Sequence, residues 1–274
     1  MTNTAREDRI KTADGTELFI LHNPVDRPKG VIIIVHGICE HSGRYDHVVS
    51  RLNSQGYSVF RFDLRGHGRS GGERGFVSDF NRFIDDTDEM VNLARKKNPD
   101  YPLFLLGHSM GGFISSAYGV RYPDRLRGLI HSGASVIVLP LVAALGDFDY
   151  EALALNPIPN DLSEMVSRDP RVVRAYQDDP LVQKEFTTKL MGEIFIRGAK
   201  WLMENMKAYQ YPCLILHGGG DQIVPPDASR YLYEHISSAD KTLKVYDGLF
   251  HEILNEPEKE TVLDDICQWL EARS

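Results

Sequence analysis

Short apolar runs separated by amphipathic segments recur along most of the chain. The runs are rich in β-branched side chains and carry few polar breaks, which is typical of strands in a parallel sheet buried on both faces. They lie at 17–22, 31–35, 57–62, 103–106, 126–131, 213–217 and 242–246. Their alternation with helical segments predicts an α/β fold, with a mostly parallel, doubly wound central sheet that is flanked by helices.

Two of the intervening segments have a clear helical stripe. After Asp79, apolar positions recur at helical spacing as far as Ala94, and the Asp79 carboxylate is suited to cap the first turn. A second stripe near the end of the chain comprises Val262, Leu263, Ile266, Trp269 and Leu270. Both patterns predict helices that cover a face of the sheet.

Residues 136–207 interrupt this alternation of strands and helices. They read as helical pieces separated by proline-containing breaks at 156–159, 169–170 and 179–180. We therefore expect residues 1–135 and 208–274 to form the core, and residues 136–207 to form a helical cap inserted between two strands of the sheet.

The composition limits the partners and the compartment. With 31 basic and 39 acidic residues the net charge is −8, which argues against nucleic acid or anionic lipid as a main partner. The first 30 residues lack the apolar core of a signal peptide, and the longest apolar runs, 31–35 and 136–145, are shorter than a membrane span of roughly 20 residues. The three cysteines, Cys39, Cys213 and Cys267, have no paired spacing, so a reducing cytoplasm is expected. The oligomeric state stays open.

The strongest chemical signal is a G-x-S-x-G motif at 107–111, which follows a short apolar strand and precedes a helical run. This context predicts a sharp turn that lifts the Ser109 hydroxyl above the edge of the sheet, with glycines where side chains would collide. The N-terminus of the following helix favours developing negative charge. Ser109 is therefore the predicted nucleophile.

A nucleophilic serine needs a base and an acid that orients the base, and on this architecture both follow later strands in the order Ser, Asp or Glu, His. Asp221 lies just past the strand at 213–217, whereas Asp227 suits a helix N-cap and Asp247 suits a turn before Gly248. His251 lies in the loop after the last strand. We predict Asp221 as the acid and His251 as the base.

The stretch HGICEHSGRY at 36–45 invites three interpretations. Zinc usually takes four ligands in paired spacing, and no second Cys/His pair completes a set, so we predict no metal site. A reactive Cys39 would need a base of its own. The third interpretation uses the backbone, because an oxyanion hole takes one N–H from the residue after the nucleophile and one from an earlier loop. Met110 and Ile38 are the predicted donors.

The segment 66–71 matches G-x-G-x-x-G after a strand, but no helix opens within it as a dinucleotide site requires. We interpret it, together with Asp63, as a tight structural loop beneath the active face.

Taken together, the stretch at 36–45, the segment DLRGHGRS at 63–70, the serine motif and the later Asp221 and His251 resemble the monoacylglycerol lipase family of α/β hydrolases. The resemblance runs from about residue 10 to residue 272 and includes a cap-like segment at 167–181. It implies hydrolysis of monoacylglycerols to glycerol and a free fatty acid through an acyl-serine intermediate, without a cofactor. It also implies that Glu40 and Arg44 shape the pocket for the glycerol head group.

Two positions depart from the mammalian members of that family, which have small residues where this chain has Ile38-Cys39 and a second histidine where it has Leu254-Asn255. The alternative function is a carboxylesterase or lysophospholipase that acts on other single-chain or short-chain esters. A thioesterase or transferase and a non-enzymatic binding protein are further readings. The apolar segments 136–145 and 195–206 of the cap are expected to line an acyl tunnel and to touch lipid aggregates or a membrane surface.

Overall fold

The computed structural model describes residues 5–146 and 149–274. Residues 1–4, at the start of the predicted core, and residues 147–148, within the predicted cap, lie outside the described part. An eight-stranded sheet forms the centre of the fold. Its strands are β1 Arg6–Lys11, β2 Glu17–Asn23, β3 Gly30–Val35, β4 Tyr57–Phe62, β5 Leu103–His108, β6 Gly128–Ser132, β9 Cys213–Gly218 and β10 Lys241–Tyr246. Two further strands, β7 Pro157–Pro159 and β8 Glu185–Thr187, pair with each other outside this sheet.

The strand order is β1-β2-β4-β3-β5-β6-β9-β10, and every pair from β4 to β10 is parallel. The carboxyl ends of these strands therefore meet along one edge of the sheet. Strand β2 runs antiparallel to both of its neighbours, so the sheet is mixed at that side. The predicted α/β fold with a mostly parallel sheet is confirmed.

Helices cover both faces of the sheet. They are α1 Asp46–Ser54, α2 Asn81–Lys97, α3 Met110–Arg121, α9 Asp227–His235 and α10 Lys259–Glu271. Successive residues of β3 enter opposite cores, with Ile33 packed in the cluster beneath α2 and α3 and Ile32 and Ile34 packed in the cluster beneath α1 and α10. Burial on both faces explains why this strand is apolar throughout instead of alternating.

The predicted stripes of α2 and α10 are buried. The Asp79 carboxylate accepts a hydrogen bond from Asn81 N–H at 2.8 Å and so caps the first turn of α2. Asp227 is not an N-cap, contrary to the prediction, because Pro226 already has a nearly helical backbone and Asp227 is the first residue of α9.

The inserted region contains short elements. They are α4 Pro140–Ala143, α5 Ser163–Val166, α6 Pro170–Asp178, α7 Thr188–Gly192, a π-helical turn Glu193–Gly198 and α8 Ala199–Asn205, besides β7 and β8. The end of the insertion packs on the α/β core, where Leu202 is fully buried and Trp201 lies 5.6 Å from the Phe80 ring. We use "cap" below for residues 150–187, which lie before this packed end.

Trp269 of α10 fixes that helix on the sheet. Its ring lies 6.0 Å from Phe104 of β5, and a Cβ added at Gly128 of β6 would come within 2.5 Å of it. Gly128 therefore makes room for the indole. The indole Nε1–H is buried and has no acceptor among the described residues, so the ring stabilises the fold by packing.

Replacing Trp269 by Ala should lower the free energy of unfolding by about 3–5 kcal/mol, because a large buried side chain leaves a cavity. Trp269→Phe is the matched control and should cost distinctly less, since it retains the ring contact with Phe104 and loses no internal hydrogen bond. Urea unfolding followed by circular dichroism measures both. Equal losses for the two variants would contradict this account of α10.

Candidate active site

The predicted nucleophile lies on a strained turn between β5 and α3. Ser109 has φ +54° and ψ −117°, a conformation that non-glycine residues seldom adopt. A Cβ at Gly107 would collide with the Gly111 carbonyl oxygen, and a Cβ at Gly111 would collide with the Val35 carbonyl oxygen of β3. The two motif glycines are thus required because the turn packs against itself and against the neighbouring strand.

The structure brings Ser109, His251 and Asp221 into one hydrogen-bonded chain. Ser109 Oγ lies 2.8 Å from His251 Nε2, and His251 Nδ1 lies 2.6 Å from Asp221 Oδ2. The carboxylate can only accept, so Nδ1 carries the ring proton, and Nε2 is left to accept from the serine hydroxyl. All three residues are buried, although they come from loops after β5, β9 and β10.

Asp221 is held as a carboxylate. Burial alone would raise its pKa, but the His251 and His217 side chains lower the pKa well below the usual range. Its Oδ1 also accepts from the backbone N–H groups of Ile223 and Val224 at 2.8 and 3.0 Å. These bonds fix the carboxylate that faces the imidazole.

The surroundings of His251 raise the pKa of its imidazole. Burial lowers its pKa, but the Asp221 charge and hydrogen bond outweigh burial, and Glu252 and Glu40 add to them, so the net shift is upward. His108 lies beside it, with ring centroids 4.8 Å apart. Burial and the His251 charge lower the pKa of His108 to about 4, so this second ring is neutral at physiological pH.

The predicted oxyanion donors lie beside the nucleophile. Ile38 follows β3, and Met110 is the first residue of α3. Within the described residues, neither backbone N–H has an internal acceptor. Gly37 is tightly packed, since a Cβ there would come within 3.2 Å of Ser109 Cβ. Its N–H donates to Glu40 Oε1 at 2.6 Å, which fixes the peptide that precedes Ile38.

Glu40 and Arg44 form a buried ion pair at 2.8 Å instead of a surface one. Tyr45 OH also donates to Glu40, at 2.7 Å. Burial raises the pKa of Glu40, but the charges of Arg44 and two neighbouring imidazoles, together with the Tyr45 hydrogen bond, lower it to about 2. The carboxylate is therefore ionised.

Glu252 is part of the same cluster and was not found from the sequence. Arg44 binds its two carboxylate oxygens at 2.6 and 2.8 Å, in a bidentate pair. The signal available in the sequence was its position directly after His251, but acidic residues are too common in loops for that position to point to a partner 208 residues away.

The cap closes the site. Gln183 N–H donates to the Cys39 carbonyl oxygen at 2.8 Å, and Glu252 N–H donates to the Val166 carbonyl oxygen at 2.8 Å. His41 Nε2 lies 3.0 Å from Asp179 Oδ2, and the Arg44 guanidinium lies 4.7 Å from the Tyr176 ring centre. The loop at 36–45 is thus held on one side by the sheet and on the other by the cap.

The cavity at Ser109 is small, about 20 Å³. That is room for about one water molecule. Three cap side chains contribute to its wall, and Glu40 and Glu252 contribute two carboxylates. The lining residues are Gly37, Ile38, Glu40, His108, Ser109, Leu162, Val166, Tyr176, Ile223, His251 and Glu252. The cavity as it stands is therefore too small to hold an acyl chain.

The other predicted features have structural roles. The Asp63 carboxylate accepts from Ser42 N–H at 2.8 Å and Arg69 N–H at 2.7 Å, so the loop at 63–71 braces the loop at 36–45 as expected. Burial raises the pKa of the Cys39 thiol far above its usual value.

The described residues contain no group of three or more side chains that could hold a metal ion. None of their helices is both long and apolar enough to cross a membrane.

Comparisons with known proteins agree with this geometry. The family Hydrolase_4, described as serine aminopeptidase S33, matches residues 26–258. A monoacylglycerol lipase of Mycolicibacterium smegmatis is 39% identical over 98% of both chains, and a monoglyceride lipase of Mus musculus is 35% identical over 96% of this chain and 90% of its own. The structure of a soluble variant of the Saccharomyces cerevisiae monoglyceride lipase, in complex with a substrate analogue, superposes with a TM-score of 0.87 at 27% identity, over 99% of this chain and 95% of the other.

These matches span nearly the whole chain, sheet and cap together. A shared Ser–His–Asp constellation alone would not show kinship, because it recurs on unrelated folds. Near-complete coverage at 39% identity does show it. The chain belongs to the monoacylglycerol lipase family of the α/β hydrolases.

Proposed function

We propose that this protein hydrolyses monoacylglycerols to glycerol and a free fatty acid through an acyl-Ser109 intermediate. The observation that carries the proposal is the hydrogen-bonded chain from Ser109 through His251 to Asp221, on a strained turn beneath a closed cap. The substrate class follows from the names of the relatives, and the reaction type follows from the chemistry of the three side chains.

In the first step Ser109 Oγ attacks the ester carbonyl carbon and its proton passes to His251 Nε2. The imidazolium then gives this proton to the leaving glycerol oxygen, and the acyl group stays on Ser109. In the second step water gives a proton to His251 Nε2 and attacks the acyl carbon. The imidazolium returns this proton to Ser109 Oγ as the bond between the acyl carbon and Oγ breaks, which releases the fatty acid and restores the serine. Asp221 holds the imidazole in one tautomer throughout and stabilises its charge.

Backbone N–H groups of Ile38 and Met110 are the proposed donors to the oxyanion of each tetrahedral intermediate. A donor of this kind contributes roughly 3 kcal/mol to lowering the barrier. Such a donor is effective when its orientation is fixed before the reaction. The Gly37 carbonyl oxygen, in the same peptide unit as the Ile38 N–H, lies 2.7 Å from His36 Nδ1, which supports such a fixed orientation at Ile38.

Glu40 and Arg44 are the proposed head-group residues. Glu40 lines the cavity, and its carboxylate can accept from the glycerol hydroxyls. Arg44 does not line the cavity, so its proposed contribution is to fix Glu40.

The predicted insertion is proposed to contact lipid aggregates. Leu141, Leu145, Leu153 and Leu155 of the predicted insertion 136–207 are large apolar side chains that are exposed, and Leu141 is 82% exposed. The second segment proposed from the sequence, 195–206, packs instead on α3 and the core. The lipid-contacting surface is therefore proposed to lie at the start of the insertion.

Purified protein should hydrolyse a long-chain monoacylglycerol faster than the di- and triacylglycerols of the same acyl chain, because Ser109 is buried and each further acyl chain adds bulk that must be accommodated around it. Ser109→Ala should lower kcat by at least about 10⁴-fold, as loss of a nucleophile does in other serine hydrolases. Release of fatty acid in a pH-stat measures both.

Ser116→Ala is the matched control, since Ser116 lies in α3, the helix that follows the Ser109 turn, and donates to the Gly112 carbonyl oxygen. A fluorophosphonate probe should label this control and the natural protein but not Ser109→Ala. Faster turnover of lysophospholipids or of short p-nitrophenyl esters than of monoacylglycerols would favour the alternative carboxylesterase or lysophospholipase function.

The pH profile of kcat/KM should have an acidic limb with its midpoint above 6.5. The base must be neutral to accept the serine proton, and Asp221, Glu252 and Glu40 raise the pKa of His251 above its ordinary value. Activity is therefore lost as the pH falls through this raised pKa. The neighbouring His108 is neutral over this range and adds no charge. A pH-stat series with a neutral, non-titrating ester measures the limb, and a midpoint below 6.5 would contradict the electrostatic balance described above.

The double replacement Leu141→Ser and Leu155→Ser should lower the rate on micellar long-chain monoacylglycerol several-fold and leave the rate on a soluble short-chain ester unchanged. Transfer of an exposed leucine side chain from water into lipid is favourable by about 25 cal/mol per Å² of apolar area removed from water. The matched control is Leu243→Ser, which is half-buried on strand β10 away from the cap. If both substrates respond equally, the leucines do not form a lipid-contacting surface.

A further inference from the structure

The wall of the active-site cavity carries an unbalanced negative charge. Glu40 and Glu252 both line the cavity, and the Arg44 guanidinium pairs with both of them. Two carboxylates and one guanidinium leave one net negative charge in this cluster. Among the described residues that line the cavity there is no lysine or arginine.

The two carboxylates are structurally fixed in the ionised form. Glu252 accepts both hydrogen bonds of a bidentate pair with Arg44, plus one from Asn255 Nδ2 at 2.8 Å. Glu40 accepts from Gly37 N–H, Tyr45 OH and Arg44. Only ionised carboxylates accept at both oxygens in this way, and each residue is at most 4% exposed. Solvent ions therefore screen the charge poorly.

The two carboxylates line the same small cavity as Ser109 and His251, so they border the place where the alcohol leaves. The imidazolium must pass its proton to the alcohol oxygen, so that oxygen lies next to His251 Nε2 as the bond breaks. Glu252 directly follows His251 in the chain, and Glu40 lies in the loop that holds Ile38. The positive end of helix α3 is already directed at the carbonyl oxygen and does not serve the alcohol.

We propose that the Glu40–Arg44–Glu252 cluster makes the alcohol pocket selective for uncharged head groups, and that Glu252 is the residue that excludes phosphate-bearing ones. This inference rests on the proposed ester hydrolysis and deepens it, because it states which esters the site rejects. A phosphate group binds where arginine, lysine or backbone N–H groups surround it. Here it would meet two carboxylates whose one cation is already fully engaged.

The natural protein gives the first test, with four lauroyl esters in mixed micelles of a neutral detergent. The head groups are glycerol (uncharged), glycerophosphocholine (net zero), glycerophosphoglycerol (one negative charge) and glycerol phosphate (up to two). The glycerol phosphate head group is smaller than either phosphodiester head group. Exclusion by charge predicts that kcat/KM is lowest for glycerol phosphate, whereas exclusion by size predicts that the larger phosphodiesters are slower.

Glu252→Gln gives the second test, since it removes a charge and keeps the shape. The ratio of kcat/KM for the glycerol phosphate ester to that for monolauroylglycerol should rise at least about tenfold, because one unit charge within roughly 8 Å changes a barrier by that much at an effective dielectric constant near 20. Glu260→Gln is the control: Glu260 is exposed on α10, and its loss also changes the net charge from −8 to −7. The control should leave the ratio unchanged.

Equal ratios for Glu252→Gln and Glu260→Gln would overturn the proposal, as would a natural protein that hydrolyses the glycerol phosphate ester as fast as monolauroylglycerol. If Glu252→Gln does not fold, the order of kcat/KM for the four esters with the natural protein decides whether charge or size excludes a head group. Failure of the proposed function can be told apart from failure of this inference. If the proposed function is wrong, monolauroylglycerol is a poor substrate. The ratio of kcat/KM for the glycerophosphocholine ester to that for the glycerophosphoglycerol ester still shows whether the site rejects negative charge.

Discussion

The close packing of the Ser109 turn against the end of β3 is the constraint on which the rest of the site depends. Gly111 lies so close to the Val35 carbonyl oxygen that no side chain fits, and Ser109 is left with a positive φ. Strain of this kind persists only where the surroundings over-determine the backbone. Buried strands on either side of β5 supply that rigidity, and they place the hydroxyl within 2.8 Å of His251 and next to the loop that begins at His36.

The loop after β10 connects this rigid turn to the cap. His251 faces Ser109, while Glu252 reaches the loop at 36–45 through Arg44 and its backbone N–H reaches Val166 of the cap. Glu256 accepts from Phe250 N–H at 2.8 Å and pairs with Arg168 of the cap at 3.1 Å. A short segment thus joins His251, the loop at 36–45 and the cap. Displacement of the cap breaks polar contacts that also position the base.

A strand could be predicted from the sequence only where its own residues form a recognisable apolar run. The seven predicted strands exist within one or two residues. For the central strands the reason is burial on both faces, which leaves an unbroken apolar run, whereas β10 at the sheet edge is only half-buried. Strand β1 was missed because most of its residues are polar and exposed at the sheet edge. The β7–β8 pair was also missed, since each strand is three residues long and one contains two prolines.

The same reasoning applies to the site. Ser109, Asp221 and His251 follow from the order of strands and loops, and the structure brings them together. Glu252 does not follow, because its role depends on an ion pair with Arg44, 208 residues away in the chain. The burial of the Glu40–Arg44 pair was likewise out of reach, since a sequence does not show that the cap lies over it. The order of strands and loops could be predicted from the sequence, whereas ion pairs between residues far apart in the chain could not.

The strand order also determines when activity can arise during synthesis. The nucleophile is made in the first half of the chain, but the loops that bear the acid and the base follow β9 and β10, at the far end of the sheet. A growing chain therefore carries Ser109 without His251 until residue 251 has been added. Incomplete chains and fragments that end before residue 251 lack the base. Lipid esters therefore meet a competent enzyme only after the loops that follow β9 and β10 have both been made.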